Sequence, residues 1–136
     1  MAAGFKERSD YTGKQIQFEG LNMDVSKVSY GSSISLGKAL DPSSVVLIAF
    51  AMNGEDIHKD RRYPVRILIP SALQVKWLSK IVIADEESRC HLQRNDYKGF
   101  SPSTHWDTVD FTTIPSIQDL PVQSAICEPV HGALLE

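Results

Sequence analysis

PVRILI, residues 64–69, and VKWLSKIVI, residues 75–83, are the two runs that decide the fold. Both are rich in Val and Ile, which favour extended backbone, and Pro70 ends the first run because proline interrupts strand pairing. A third apolar run, Val45–Met52, is far too short to span a bilayer and has the pattern of a buried strand. We expect these three strands to form the core.

Two further segments predict strands. One belongs to a hairpin, and the other is half-buried. Asn53-Gly54 follows the third run directly, and this pair tolerates the positive φ angles of a type I′ turn. The turn predicts a hairpin that returns through Glu55–Ile57. Upstream, QIQFEG at residues 15–20 alternates polar and apolar side chains, as a half-buried strand does.

One short helix is predicted between these segments. Ser32 and Ser33 precede an apolar-periodic stretch, Ile34–Leu40, so either serine is a suitable N-cap and Pro42 would stop the helix after about two turns. Beyond Ala84 the sequence becomes charged and rich in loop residues. The predicted fold class is therefore α+β and strand-rich.

Composition excludes several classes of protein. A chain of 136 residues with net charge −3 is suited to one domain, and its basic residues occur singly or in pairs such as Arg61-Arg62. No basic stripe suits a phosphate backbone, so nucleic acid is not an expected partner. No membrane segment is predicted, and the two cysteines allow at most one disulfide.

The chemistry-bearing residues predict at most an anion site. The Cys and His residues lack the close spacing that fixes two zinc ligands on one turn, so no metal site is predicted; they are Cys90, His91, His105, Cys127 and His131. No G-x-S-x-G elbow is present. Arg66 and Lys76, with Tyr97 further along, could hold a small oxyanion or a phosphate. The alternative is that these cations are solvated beside packed aromatic rings.

Several motifs taken in order resemble one known family, the animal-type sulfite oxidases. The matching segments are Phe18-Glu19-Gly20-Leu21, Ala39-x-Asp41-Pro42, Met52-Asn53-Gly54, Pro64-Val65-Arg66, Val75-Lys76-Trp77-Leu78, residues 96–103 (DYKGFSPS), residues 108–111 (TVDF) and residues 115–126 (PSIQ-x-LPVQSAI). The resemblance covers about residues 15–130, and DYKGFSPS favours sulfite oxidases over the related nitrate reductases.

The resemblance implies a molybdenum-molybdopterin cofactor, sulfite as the substrate and a homodimer. It implies a partial sulfite-oxidase-type molybdopterin-binding fold, of which this chain would be the C-terminal part. Tyr97 falls on the family's active-site tyrosine, and Arg66, Val75 and Lys76 fall on positions that hold the pterin and its phosphate. A phenol can donate a hydrogen bond to an oxyanion, and Arg and Lys both suit phosphate.

The chain departs from the family pattern at three cofactor positions. Asn22 replaces an aspartate, while Arg61 and Gln74 replace histidines. Residues 71–74 also form a shorter loop than the family's glycine-containing one, and glycines there allow close approach to the cofactor. In the family the molybdenum-ligating cysteine precedes the matched segment, and neither Cys90 nor Cys127 falls at its position.

The resemblance also divides the chain and suggests its location. Residues 1–14 are expected to be a non-homologous tail, residues 15–95 the C-terminal part of the molybdopterin-binding domain, and residues 96–136 the connection into the start of a dimerisation domain. The family implies the mitochondrial intermembrane space, although residues 1–10 do not have the composition of a transit peptide. Two functions remain open: a sulfite oxidase-like oxidoreductase, or a catalytically inactive fragment with at most a binding or assembly role.

Overall fold

The computed structural model describes residues 12–23, 27–70 and 74–119. Within these ranges the chain consists mainly of short β-strands, with one α-helix and several single helical turns. The strand-rich α+β fold class is confirmed. The motif at residues 120–126 and the cysteine and histidine at 127 and 131 lie outside the described residues.

A three-stranded antiparallel sheet contains the first strands of the chain. Strand β1 (Gln15–Met23) lies between β2 (Ser29–Ser35) and β7 (Leu78–Ala84). The predicted alternation is confirmed in β1, where Phe18 is buried between half-buried neighbours. The register of β1 with β7 shifts after Glu19, at the point where the segment that precedes β7 approaches Gly20.

A second sheet pairs β3 (Leu47–Ala49) with β6 (Arg66–Leu68). On its other side β6 is joined to the start of the VKWLSKIVI run, because the Ile67 N–H donates to the Val75 carbonyl oxygen at 3.0 Å. The buried core lies between the two sheets and is a small apolar cluster: Phe18, Ile34, Ile67, Ile69 and Val75. The prediction that PVRILI and VKWLSKIVI contribute to the core is confirmed.

The predicted hairpin is confirmed at Asn53-Gly54. These residues have φ angles of 56° and 84° and join β4 (Ala51–Met52) to β5 (Glu55–Asp56). The prediction that Val45–Met52 is one buried strand is wrong, because the run is broken at Phe50 and its side chains are largely exposed. Only β6 pairs with β3 in the described part of the chain, so this apolar segment has one covered edge.

The helix is shorter than predicted. Ser32 and Ser33 lie buried in β2, and the helix α1 (Leu36–Leu40) begins after Ser35, whose hydroxyl accepts from the Lys38 N–H at 3.2 Å. The predicted N-cap at Ser32 or Ser33 is therefore wrong. Strand β2 continues to Ser35, and this last residue of the strand is the N-cap. The helix ends before Pro42, as predicted.

The last described segment folds back on β2 through a turn of π-helix, Leu92–Asp96. An isolated bridge between Lys98 and Ser116 then joins two parts of the following loop. Within the described residues no helix has the length and apolar character needed to cross a membrane.

Candidate functional site

Arg66 lies in β6 and is tied to the loop that follows this strand. Its Nη2 donates to Oε1 of Gln74, so these two predicted cofactor positions are in direct contact. The Nε of Arg66 is buried and has no hydrogen-bond partner among the described residues. An unpaired buried donor on a cation is costly, which marks this position as suited to an acceptor from a ligand.

Val75 and Lys76 are held against β1 by a close backbone approach. Val75 is fully buried, and its carbonyl oxygen is used by Ile67. A Cβ on Gly20 would lie 2.5 Å from the Lys76 carbonyl oxygen, so glycine is required for this approach. Trp77 pairs with β1, because the Leu21 N–H donates to the Trp77 carbonyl oxygen at 3.0 Å.

A third cation, Arg62, belongs to the same neighbourhood. Burial and the charge of Arg62 together lower the pKa of Arg66, and burial followed by Arg62 and Arg66 lowers the pKa of Lys76. Like charges disfavour each other's charged form, so these shifts place three cations close together. Arg62 itself has a φ of 79°, a left-handed conformation that L side chains rarely adopt.

Two phenols connect the cation cluster to DYKGFSPS. The Tyr30 hydroxyl donates to the Gln74 carbonyl oxygen at 3.3 Å. Burial, followed by the neighbouring Tyr97 and Cys90, raises the pKa of Tyr30 to about 12, while Arg62 acts in the opposite direction. Tyr97 therefore lies beside Tyr30, and through Gln74 it is connected to Arg66.

Asn22 lies near the end of β1 on the wall of a neighbouring cavity. The cavity has a volume of about 220 Å³ and is lined by Asn22, Met23, Tyr30, Cys90, His91 and Leu92. The Oδ1 of Asn22 is buried and has no partner in the described ranges. The site therefore offers one unpaired acceptor, Asn22 Oδ1, in addition to the unpaired donor on Arg66.

Comparison with known proteins supports the sequence motifs. The family model described as "Oxidoreductase molybdopterin binding domain" matches residues 2–92. The chain belongs to this family. It is 51% identical over 128 residues to the mitochondrial sulfite oxidase of Macaca fascicularis, covering 92% of this chain and 24% of that protein. It is 48% identical over 134 residues to the sulfite oxidase of Gallus gallus, covering 96% of this chain and 29% of that protein.

A more distant relative of the chain is the NADPH nitrate reductase of Mycosarcoma maydis. The identity is 37% over 134 residues, covering 90% of this chain and 13% of that protein. The resemblance to sulfite oxidases is thus confirmed. The chain spans about a quarter of the length of the sulfite oxidases it matches.

The structure brings together most of the residues predicted to form the site. Arg66, Gln74 and Lys76 share one neighbourhood, and Tyr97 joins them through Tyr30. Arg61 differs, because it is exposed at the end of a helical turn, where its N–H donates to the His58 carbonyl oxygen at 2.8 Å. The charge that acts on both Arg66 and Lys76 is that of Arg62, the residue after Arg61.

Sequence reasoning missed Arg62 and Tyr30. Arg62 looked like half of an ordinary surface pair, and only its left-handed backbone separates it from Arg61. Tyr30 lies in a stretch whose serines predicted a helix cap, so its place on a strand facing the site was not recognised. An alternation test applied to SYGSSIS could have indicated that strand.

The described part of the chain contains no candidate group of metal ligands. Across residues 12–23, 27–70 and 74–119, no group of three or more His, Cys, Asp or Glu side chains is arranged to hold a metal ion. Cys90 is buried beside Tyr30.

Proposed function

We propose that this chain forms one wall of a sulfite oxidase-like active site. In this proposal Arg62, Arg66 and Lys76 face the phosphate of molybdopterin, Val75 supports it through the backbone, and Tyr97 faces sulfite. Membership of the molybdopterin-binding-domain family and sequence identities of 51% and 48% to two sulfite oxidases support the assignment. The expected reaction is oxygen-atom transfer that converts sulfite to sulfate.

The observation that carries the proposal is the unbalanced positive charge of the cluster. Burial and, after it, the charge of Arg62 lower the pKa of both Arg66 and Lys76, and neither shift has a carboxylate among its causes. A bound anion would stabilise all three cations, and a guanidinium is suited to bidentate phosphate contact. The unpaired Arg66 Nε suits a phosphate oxygen.

The second unpaired atom fits the other end of the cofactor. Asn22 Oδ1 is a buried acceptor, and a pterin carries ring N–H and amino donors. Asn22 would thus keep the accepting role of the family's aspartate without its charge. Arg61 and Gln74, the other two changed positions, contribute differently: Arg61 is exposed, while Gln74 holds Arg66 and Tyr30.

Tyr30 suits an anionic substrate because it adds no negative charge at neutral pH. With its pKa raised to about 12, Tyr30 stays protonated there and occupies the Gln74 carbonyl oxygen. Tyr97 is then available to donate a hydrogen bond to a sulfite oxygen. When bound, the molybdenum cofactor supplies the two-electron redox chemistry.

The remaining assignments rest on the relatives alone. We propose that residues 15–95 are the C-terminal part of the molybdopterin-binding domain and that residues 96–136 lead into a dimerisation domain. The mitochondrial names of several relatives support a mitochondrial location. The intermembrane space and a homodimer are proposed from the family resemblance alone.

The direct test is to purify the chain from a host that makes the molybdenum cofactor. We expect oxidised pterin released from the protein to be detectable by fluorescence, and about tenfold less of it after Arg66→Ala or Lys76→Ala, since each change removes a charged hydrogen bond. Arg61→Ala is the matched control and should retain pterin. Wild-type protein without pterin would overturn the proposal.

We expect the same preparation to hold no stoichiometric molybdenum and not to oxidise sulfite. A metal is held and tuned by its ligating thiolate and by the residues around that ligand. Neither cysteine of this chain falls at the ligand position. Metal analysis showing stoichiometric molybdenum would contradict this expectation.

A second candidate function is a non-catalytic role in binding or assembly. Its motivating observation is the exposed apolar surface, which includes Phe50 at 70% and Trp106 at 85% exposure. Such residues often mark contact surfaces. The test is self-association by sedimentation and its loss in Ile48→Lys, because lysine on an edge strand opposes pairing. A monomeric wild type with a sharp two-state melt would count against this role.

A further inference from the structure

The turn that carries Tyr97 is anchored to β2 by a buried glutamine. Tyr97 follows the π-helical turn directly, and its N–H donates to the Leu92 carbonyl oxygen at 2.8 Å. Its carbonyl oxygen accepts from the Ile117 N–H at 2.9 Å. The backbone of Tyr97 is thus fixed on both sides, and its location depends on what holds the turn.

Gln93 holds the turn through both ends of its amide. The side chain is completely buried. Its Oε1 accepts from the Ser33 N–H at 2.6 Å, and its Nε2 donates to the Ser33 hydroxyl at 2.8 Å. A two-point contact restricts rotation as well as distance, so the turn has a defined orientation on β2.

A second layer of hydrogen bonds supports this glutamine. The Ser116 hydroxyl lies 2.7 Å from Oε2 of Glu87 and 3.1 Å from the Gln93 carbonyl oxygen. The Ser33 hydroxyl also accepts from the Ser88 N–H at 2.8 Å. Buried networks of this kind define a unique arrangement when their members are satisfied.

The strand that receives Gln93 is also the strand that carries Tyr30. Tyr30 and Ser33 both belong to β2, which is paired with β1 along most of its length. One end of the Tyr30–Tyr97 contact is therefore fixed by the sheet. The other end is fixed by the Gln93 amide.

We propose that Gln93 is a positioning residue for Tyr97, which acts by locking the turn at residues 92–96 onto Ser33 and thereby sets the contact of Tyr97 with Tyr30. This role rests on the proposed function, in which Tyr97 faces sulfite. Gln93 itself touches neither substrate nor cofactor. Its amide cannot be replaced by an apolar side chain of similar size without releasing the turn.

The test uses the full chain labelled with 3-fluorotyrosine, with the Tyr97 resonance assigned from Tyr97→Phe. In Gln93→Met we expect the Tyr97 fluorine signal to move toward its frequency in the unfolded chain and to broaden, while that of Tyr63 stays in place. Gln118→Met is the matched control. It removes another amide bonded to Ser33, through the Ser33 carbonyl oxygen at 3.3 Å, but from outside the turn.

The outcomes separate positioning from general stability. A Tyr97 signal unchanged in folded Gln93→Met, or moved equally in Gln118→Met, overturns the role of Gln93. If Gln93→Met does not fold, Ser33→Ala decides, since it removes the hydroxyl contacts to Gln93 and Ser88, keeps the Ser33 N–H bond to Gln93, and should shift the signal in the same direction. The labelled chain is produced in a host that does not make the molybdenum cofactor and is measured without sulfite, so this result is independent of whether the chain can bind pterin.

Discussion

The two phenols and three cations at the centre of the site have opposing effects on one another. Tyr30 is held protonated by burial and by Tyr97, while Arg62 favours its ionised form. Arg62 also opposes the charges of Arg66 and Lys76. Such mutual perturbation is typical of functional sites, because a purely structural surface would separate like charges or pair them.

The raised pKa of Tyr30 predicts a loss of stability at alkaline pH. The value rises from 10.0 to about 12 in the folded chain, so between these pH values the unfolded chain releases the proton first. The stabilisation is therefore complete below about pH 10 and is lost as pH rises through about 12. Tyr30→Phe should reduce this loss by ~1 kcal/mol, allowing for solvent screening at a half-buried site.

The measurement is urea unfolding at about pH 9 and about pH 11, conditions on either side of the ordinary tyrosine pKa. Tyr63→Phe is the control, because Tyr63 is exposed. An equal pH-dependent loss in wild type and Tyr30→Phe would contradict the burial of this phenol.

Arg62 predicts a conflict between stability and binding. Its left-handed φ of 79° suits glycine, so Arg62→Gly should increase the free energy of unfolding by about 1 kcal/mol. The same change removes one of three cations and should weaken pyrophosphate binding about tenfold. Calorimetric titration and urea unfolding measure the two effects.

Arg61→Ala is the control for Arg62→Gly. Arg61 is exposed, so its removal should change stability by no more than about 0.5 kcal/mol and leave pyrophosphate affinity unchanged. Equal loss of affinity in both variants would show a diffuse charge effect in place of a defined cluster.

At the scale of elements, the sequence predicted the positions of strands better than their burial. Alternation in QIQFEG and the Asn-Gly turn are local signals, and both elements are confirmed. Local sequence signals do not indicate which faces of a strand other segments cover, so they did not predict the exposure of β3. The serine caps failed because both serines are buried in β2, where distant residues, Gln93 and Ser88, bind Ser33.

The pairing of β3 with β6 provides a matched test of burial. Ile48 and Ile67 lie directly opposite each other, yet Ile48 is 53% exposed and Ile67 only 1%. Ile67→Ala should cost about 2–5 kcal/mol, as core truncations do. Ile48→Ala should cost less than about 1 kcal/mol, because little apolar area is lost from the core. Urea unfolding of the two variants measures this difference, and similar costs would contradict the exposed placement of β3.

For the whole molecule, the site could be predicted only where a residue type carries its own chemistry. Arg66, Lys76 and Tyr97 were indicated by motif and charge, and the structure gathers them through Gln74 and Tyr30. Arg62 and Gln93 depend on backbone conformation and long-range contacts, which have no local pattern. The chain matches about a quarter of the length of its sulfite oxidase relatives, so their complete reaction is a property to be tested in that larger context.

The most direct measurement is sulfite oxidation by a chimera in which residues 15–119 replace the matching segment of the Gallus gallus relative. We predict that the chimera binds pterin and oxidises sulfite, and that Tyr97→Phe lowers kcat/KM at least about tenfold, the cost of a lost hydrogen bond to an anion. Lys38→Ala, on the helix, is the control and should retain activity. A folded, pterin-loaded chimera with no sulfite oxidation, or one indifferent to Tyr97→Phe, would contradict the account.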